Sequence, residues 1–247
     1  VSALEGLGLT VTRHATVDNA DTIVAVKEPV GDAPTVLLYS HYDVVPAGDP
    51  SVWTNDPFEL TERDGRWYGR GAADCKGNLA MHLEALRLLE ANGGTDLGLK
   101  VVVEGSEELG GKDGLGKLIV EKPEVFESDA ILIADSGNVA AGVPTLTTSL
   151  RGGAQVKVTV ETLDNQVHSG SYGGGAPDAA HALVVIANSL FDEHGRTTID
   201  GVDTTAKWDG DAYDRESFRQ DATVLEGVQL LGTADDLARS VPFIWAN

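Results

Sequence analysis

Residues 37–46 read Leu37-Leu38-Tyr39-Ser40-His41-Tyr42-Asp43-Val44-Val45-Pro46. The apolar run from Val36 to Tyr39 predicts a buried strand, and it closes on a histidine and an aspartate two residues apart. Alternate side chains of a strand share a face, so one strand end can present His41 and Asp43 together. A neutral imidazole ligates a metal through one ring nitrogen. A carboxylate on the other nitrogen fixes the tautomer and raises the basicity. His-x-Asp is common on ordinary surfaces. Its meaning here depends on what stands at the other strand ends.

Working outward, Thr22–Lys27 reads as a strand on the N-terminal side, and Gly31-Asp32-Ala33-Pro34 as the turn into Thr35–Tyr39. Residues 1–8 read as the end of a helix stopped by Gly6 and Gly8. On the C-terminal side, residues 46–66 are rich in Pro, Gly, Asp and Trp and predict an irregular excursion ending in a short strand, Arg66–Tyr68. Asp74 follows Gly69-Arg70-Gly71-Ala72-Ala73. Leu79, Leu83 and Leu86 then keep the 3.6-residue period of an amphipathic helix over 78–91, closed by Asn92-Gly93-Gly94. Leu99–Glu104 predicts a second buried strand, running into Gly105-Ser106-Glu107-Glu108-Leu109-Gly110-Gly111. A short helix at Leu115–Val120 and a strand at Ala130–Ala134 follow, the latter ending at Asp135-Ser136-Gly137. Strands alternating with helices imply a layered α/β sheet, whose sites lie beyond the carboxyl ends of the strands. His41, Glu107, Glu108 and Asp135 all fall at such ends.

Beyond residue 150 the pattern changes. Val156, Val158 and Val160 alternate with polar residues, predicting an antiparallel strand over Gln155–Thr162 with one wet face. A glycine-rich loop carrying His168 follows, and Pro177-Asp178 opens a helix through Leu190. Residues 192–216 read as a polar surface loop, with short helices at Arg215–Asp221 and Ala234–Ser240. The expected division is residues 1–150 and 151–247.

Of 247 residues, 39 are acidic and 18 are Lys or Arg, a formal net charge of −21. With no basic patch, nucleic acid and anionic membranes are not expected partners. The single cysteine, Cys75, allows no intrachain disulfide and fits a reducing, cytoplasmic setting. No apolar run reaches the roughly 18 residues of a membrane span.

His41, Asp43, Asp74, Glu107, Glu108 and Asp135 have the chemistry of a zinc centre, nitrogen and carboxylate donors with a further carboxylate free to move a proton. In a chain this acidic the bland alternative is a set of solvated acids, and the placement of five of the six at glycine-flanked strand ends or helix starts weighs against it. Gly111–Leu118 nearly matches a phosphate-binding loop, but Leu118 stands where Ser or Thr must hold magnesium. Cys75 lacks a His and Asn framework for nucleophilic chemistry, and His82 reads as packing beside an apolar helix face.

The ordered motifs HYDVVP, GRGAADCKG, EGSEELGG and ADSG resemble those of the dinuclear zinc peptidase superfamily of carnosinase, cytosolic dipeptidase, glutamate carboxypeptidase, aminoacylase and succinyl-diaminopimelate desuccinylase. The later LRGG and VHSGSYGG are most similar to the carnosinase-like dipeptidase branch. The resemblance implies a phosphorylase/hydrolase-like α/β catalytic domain over 1–150 and an inserted α+β lid or dimerisation domain, incomplete, over 151–247. It implies two Zn2+ ions, with Mn2+ or Co2+ as substitutes. His41 and Asp135 would hold one metal, Glu108 the other, and Asp74 would bridge them through a cis peptide to Cys75. Asp43 would orient His41. Glu107 would be the general base for a bridging hydroxide that attacks the amide of a dipeptide or short peptide with a free carboxylate. His168 would meet the substrate from a neighbouring subunit of a homodimer. Arg151, beside its glycines, reads either as a contact for the substrate carboxylate or as a structural ion pair. N-acyl amino acid hydrolysis, or a non-catalytic metal-binding module, are the competing readings. The family's late metal-binding histidine has no counterpart after His194, so the chain is expected to be a portion of a longer protein.

Overall fold

β3 (Thr35–His41) and β6 (Gly98–Glu104) run side by side and in parallel through a five-stranded sheet in the computed structural model of the chain. The structure describes all residues except 139, 141, 148–149, 151–154, 194–196, 203–213 and 231–247. The chain divides into two compact units, Val1–Leu146 and Thr147–Asn247.

In the first unit the sheet order is β1-β2-β6-β3-β7, with β1 Thr10–His14, β2 Thr22–Lys27 and β7 Ala130–Ile133. β1 and β2 pair antiparallel, β2 meets β6 antiparallel, and β6, β3 and β7 are mutually parallel. The three parallel strands therefore end at one edge, with His41 directly opposite Glu104. β4 (Thr61–Arg63) and β5 (Arg66–Tyr68) form a separate hairpin.

The core follows from the strand period. Leu38, Val101 and Val103 face one side, where they pack with Ala25, Leu99 and Leu86 of α2 (Asn78–Ala91), together with Leu4 of the short α1 (Ser2–Glu5). Leu37, Val24 and Val102 face the other side and pack against Leu115 of α3 (Leu115–Glu121) and Phe126. Helices on both faces explain why β3 and β6 read as continuous apolar runs.

Two strands differ from the sequence expectation by addition. β1 carries a single apolar residue, Val11, and lies at the sheet edge, where burial imposes little pattern. β4 lies inside the stretch expected to be irregular. Its signal was present: Asp64 and Gly65 both adopt positive φ, 52° and 72°, the backbone of an Asp-Gly hairpin turn.

The second unit contains α4 (Ser169–Tyr172), α5 (Ala179–Asn188) and α6 (Arg215–Asp221). The strand expected at Gln155–Thr162 is not formed. Alternation marks a segment that can bury one face in a sheet, and no partner strand pairs with it among the described residues, so Val156 remains 83% exposed. The helix expected at Ala234–Ser240 and Arg151 both lie outside the described residues.

Candidate active site

His41 ends β3 and is fully buried. Its Nδ1 lies 3.2 Å from Asp43 Oδ1. Its Nε2 lies 2.9 Å from Asp74 Oδ1, 3.6 Å from Asp135 Oδ1 and 3.9 Å from Glu107 Oε2. One imidazole is thus fixed from behind by a carboxylate and faces three others from in front. Glu107 and Asp135 arrive there because β6 and β7 flank β3 and end beside it.

Asp74 reaches the site from the kinked turn Ala72–Gly77 that leads into α2. Gly71 opens this turn at φ 80°, where a Cβ would stand 2.5 Å from Val44 Cγ1, so no larger residue fits. The Asp74–Cys75 peptide is cis. Cys75 is fully buried. Its thiol accepts the His41 N–H at 3.1 Å and donates to the His41 carbonyl at 3.3 Å. Burial pushes the thiol pKa up. Cys75 is therefore a packed thiol that pins the end of β3 to the Asp74 turn, not a nucleophile. His82 of α2 is also buried, with Nε2 3.3 Å from the Tyr39 carbonyl.

Asp43 does more than orient His41. Its Oδ1 accepts the Glu107 N–H at 3.3 Å and its Oδ2 the Glu108 N–H at 3.0 Å. These two amides begin the single-turn helix Glu107–Leu109, where backbone N–H groups lack helical partners. One carboxylate thus fixes both the imidazole and the turn bearing the two glutamates.

Burial pulls the His41 imidazole pKa down, but the Asp135, Asp74, Asp43 and Glu107 carboxylates together outweigh it and hold the pKa above the ordinary histidine value. Burial raises the Glu107 carboxyl, opposed by His41 and reinforced by Asp135, Glu108 and Asp43. So many carboxylates around one imidazole repel one another, and a cation among them relieves that repulsion. The donor set fits a divalent metal: one ligand atom each of His41, Asp74, Cys75 and Asp135 lies within 4.8 Å of all the others.

Five of the residues singled out in the sequence meet at this edge: His41, Asp43, Asp74, Glu107 and Asp135. Glu108 sits on the same turn but outside the metal-ligand group, its Oε1 accepting the Val45 N–H at 3.3 Å. His168 belongs to the second unit, where its Nδ1 accepts the Gly170 N–H at 3.1 Å at the start of α4. The sequence reading missed Tyr39 and Glu104, which hydrogen-bond at 2.6 Å just inside the site. The strand period could have found them, since Glu104 shares the inward face of Val102.

An α/β sheet whose parallel strand ends gather a histidine and several carboxylates is of the class that can hold a divalent metal at the sheet edge. The chain belongs to the peptidase family M20/M25/M40, whose pattern matches residues 37–235. It is 73% identical over 244 residues to the cysteinylglycine-S-conjugate dipeptidase of Corynebacterium striatum, a match covering 99% of this chain and 53% of that protein. It is 37% identical over 174 residues to the mouse Beta-Ala-His dipeptidase, covering 69% of this chain and 35% of the relative. The chain thus spans about half the length, or less, of these relatives. Among solved structures, an M20 family metallo-carboxypeptidase from Sulfolobus solfataricus superposes with a TM-score of 0.72 at 23% identity, covering 97% of this chain and 56% of that one. Human carnosine dipeptidase 1 superposes at 0.66 and 24%, covering 95% and 53%. These two share the fold.

Proposed function

We propose that this chain carries the metal centre and the general base of a dipeptidase acting on dipeptides or short peptides with a free C-terminal carboxylate. The observation that carries the proposal is the position of His41. It is held by Asp43 and faces Asp74 and Asp135, with Glu107 3.9 Å from the same nitrogen. His41, Asp74 and Asp135, with Glu108 on the adjoining turn, would hold Zn2+, or Mn2+ or Co2+ in its place. When bound, the metals supply Lewis acidity toward the scissile carbonyl and acidify water.

The chain's own residues supply the rest. Glu107 accepts a proton from the attacking water and passes it to the departing amine. Asp43 holds the His41 tautomer that leaves Nε2 free to ligate. His168 binds substrate from a neighbouring subunit of a homodimer, and Arg151 pairs with the substrate carboxylate. No described helix is long and apolar enough to cross a membrane. We place the protein in the cytoplasm and expect neither nucleic acid nor membrane as a partner. The names of the relatives favour a substrate of the cysteinylglycine type, with or without a group on sulfur.

The test is a hydrolysis panel on zinc-loaded protein: cysteinylglycine, S-alkyl-cysteinylglycine, β-alanylhistidine, and N-acetyl and N-succinyl amino acids, each with and without chelator. Chelator-sensitive release of glycine from the first two is the expected result. Cleavage confined to the N-acyl compounds would make the protein a deacylase. Tight metal binding with no cleavage of any compound would make it a binding module.

A further inference from the structure

We infer that Glu104 and Tyr39 form a positioning pair beneath the site, whose work is to hold the turn that carries Glu107 and Glu108. The inference rests on the proposed roles of those two glutamates.

Glu104 is the last residue of β6 and is 4% exposed. Its side chain enters the interior on the face of Val102, where Tyr39 of β3 also points. The Tyr39 hydroxyl donates to Glu104 Oε2 at 2.6 Å. Tyr39 is itself anchored, its carbonyl 3.3 Å from His82 Nε2. The other carboxyl oxygen, Oε1, lies against Gly111, where a Cβ would stand 2.2 Å from it. Gly111 is the far end of the turn: its N–H donates to the Ser106 carbonyl at 2.9 Å and closes the loop around Glu107 and Glu108. The loop is thus tied to Asp43 through the two glutamate amides, and the Glu104 carboxyl stands close beside Gly111 at its far end. Among the described residues, the charged groups that act most on that carboxyl are Asp43, His41 and Asp18. A buried carboxyl set mainly among other acids contributes little as an ion-pair partner. Its hydrogen bond and its contact with the Gly111 backbone are what it provides.

The test compares Glu104→Gln, Glu104→Leu and Tyr39→Phe with the wild-type chain by amide hydrogen exchange across residues 105–111, without metal. Glutamine keeps an acceptor for the tyrosine hydroxyl, and leucine removes it. Tyr39→Phe deletes one hydroxyl and keeps the fold. Leucine and phenylalanine variants are expected to exchange the Glu107 and Glu108 amides about 10-fold faster or more, while β6 amides stay unchanged and Glu104→Gln stays near wild type. In metal-loaded protein the same two variants are expected to lose about 10-fold in kcat with KM within about 2-fold, and Glu104→Gln to restore it. Unchanged exchange of these two amides in Tyr39→Phe overturns the inference. So does faster exchange spread evenly through the sheet, which marks a merely structural residue. Should the wild type cleave nothing, the exchange data still decide on the pair, and only the proposed function falls.

Discussion

At the scale of single residues, Asp43 carries more than its place in the loop after β3 suggests. It takes three hydrogen bonds, from the His41 ring and from the amides of Glu107 and Glu108. Asp43→Ala is therefore expected to weaken metal binding and activity together, each by about 10- to 100-fold. Calorimetric zinc titration beside kinetics checks this, and loss of activity with undiminished metal affinity would contradict the shared role. His82 sets a pH dependence. Burial lowers its pKa below the ordinary 6.5, only partly offset by the Tyr39 carbonyl. Above pH 6.5 both folded and unfolded histidine are neutral and the stability is whole. As the pH falls through 6.5 the unfolded chain takes the proton first, so stability declines until the folded pKa is passed. Urea melts of metal-free protein at pH 7.5 and 5.5 are expected to show a larger drop for wild type than for His82→Gln. Equal drops would mean that His82 is not held neutral. None of these second partners was legible in the sequence, because each depends on a helix or turn packing back against β3 or the loop after it from about 40 to 65 residues away.

At the scale of elements, legibility followed burial. β3 and β6 were readable because both faces are covered and nearly every position must be apolar. The expectation stopped β3 at Tyr39. Ser40 and His41 continue it, polar yet buried, because this end of the strand belongs to the site. β1 was unreadable because an edge strand need bury little, and the alternation of Val156, Val158 and Val160 named a strand for which the described residues offer no partner. α2 was readable from its leucine period, and Leu86 is the residue that seats it, 5% exposed among Leu38, Val101 and Val103. Leu86→Ala is expected to destabilise the first unit by about 2–5 kcal/mol, the range for a buried leucine that leaves a cavity. Because α2 is continuous with the Asp74 turn, zinc affinity should fall in the same variant. A denaturant melt with a loss under about 1 kcal/mol would show that α2 is held by other contacts.

At the scale of the whole molecule, the acidic balance of the chain acquires a local meaning at one sheet edge. The sequence alone named His41, Asp74 and Asp135 because glycine-flanked strand ends are where an α/β sheet keeps its chemistry. It could not tell that their ligand atoms converge within 4.8 Å while Glu108 turns toward Val45, since that depends on loop paths and not on spacing. A centre of this kind links metal binding to stability. At free zinc near 100 times the dissociation constant, the folded state should gain about 2.7 kcal/mol, and a chelator should reverse the gain. Thermal melts across a zinc titration check this; a melting temperature indifferent to zinc would mean no site forms in the folded state. The most direct measurement sets zinc content beside cysteinylglycine hydrolysis for the wild type and Glu107→Gln. We expect equal zinc in both proteins, chelator-sensitive hydrolysis by the wild type, and a loss of about 100-fold or more in kcat in the variant. Glu107→Gln that keeps both its zinc and its rate would contradict the assignment of the base, and with it the account of how this site works.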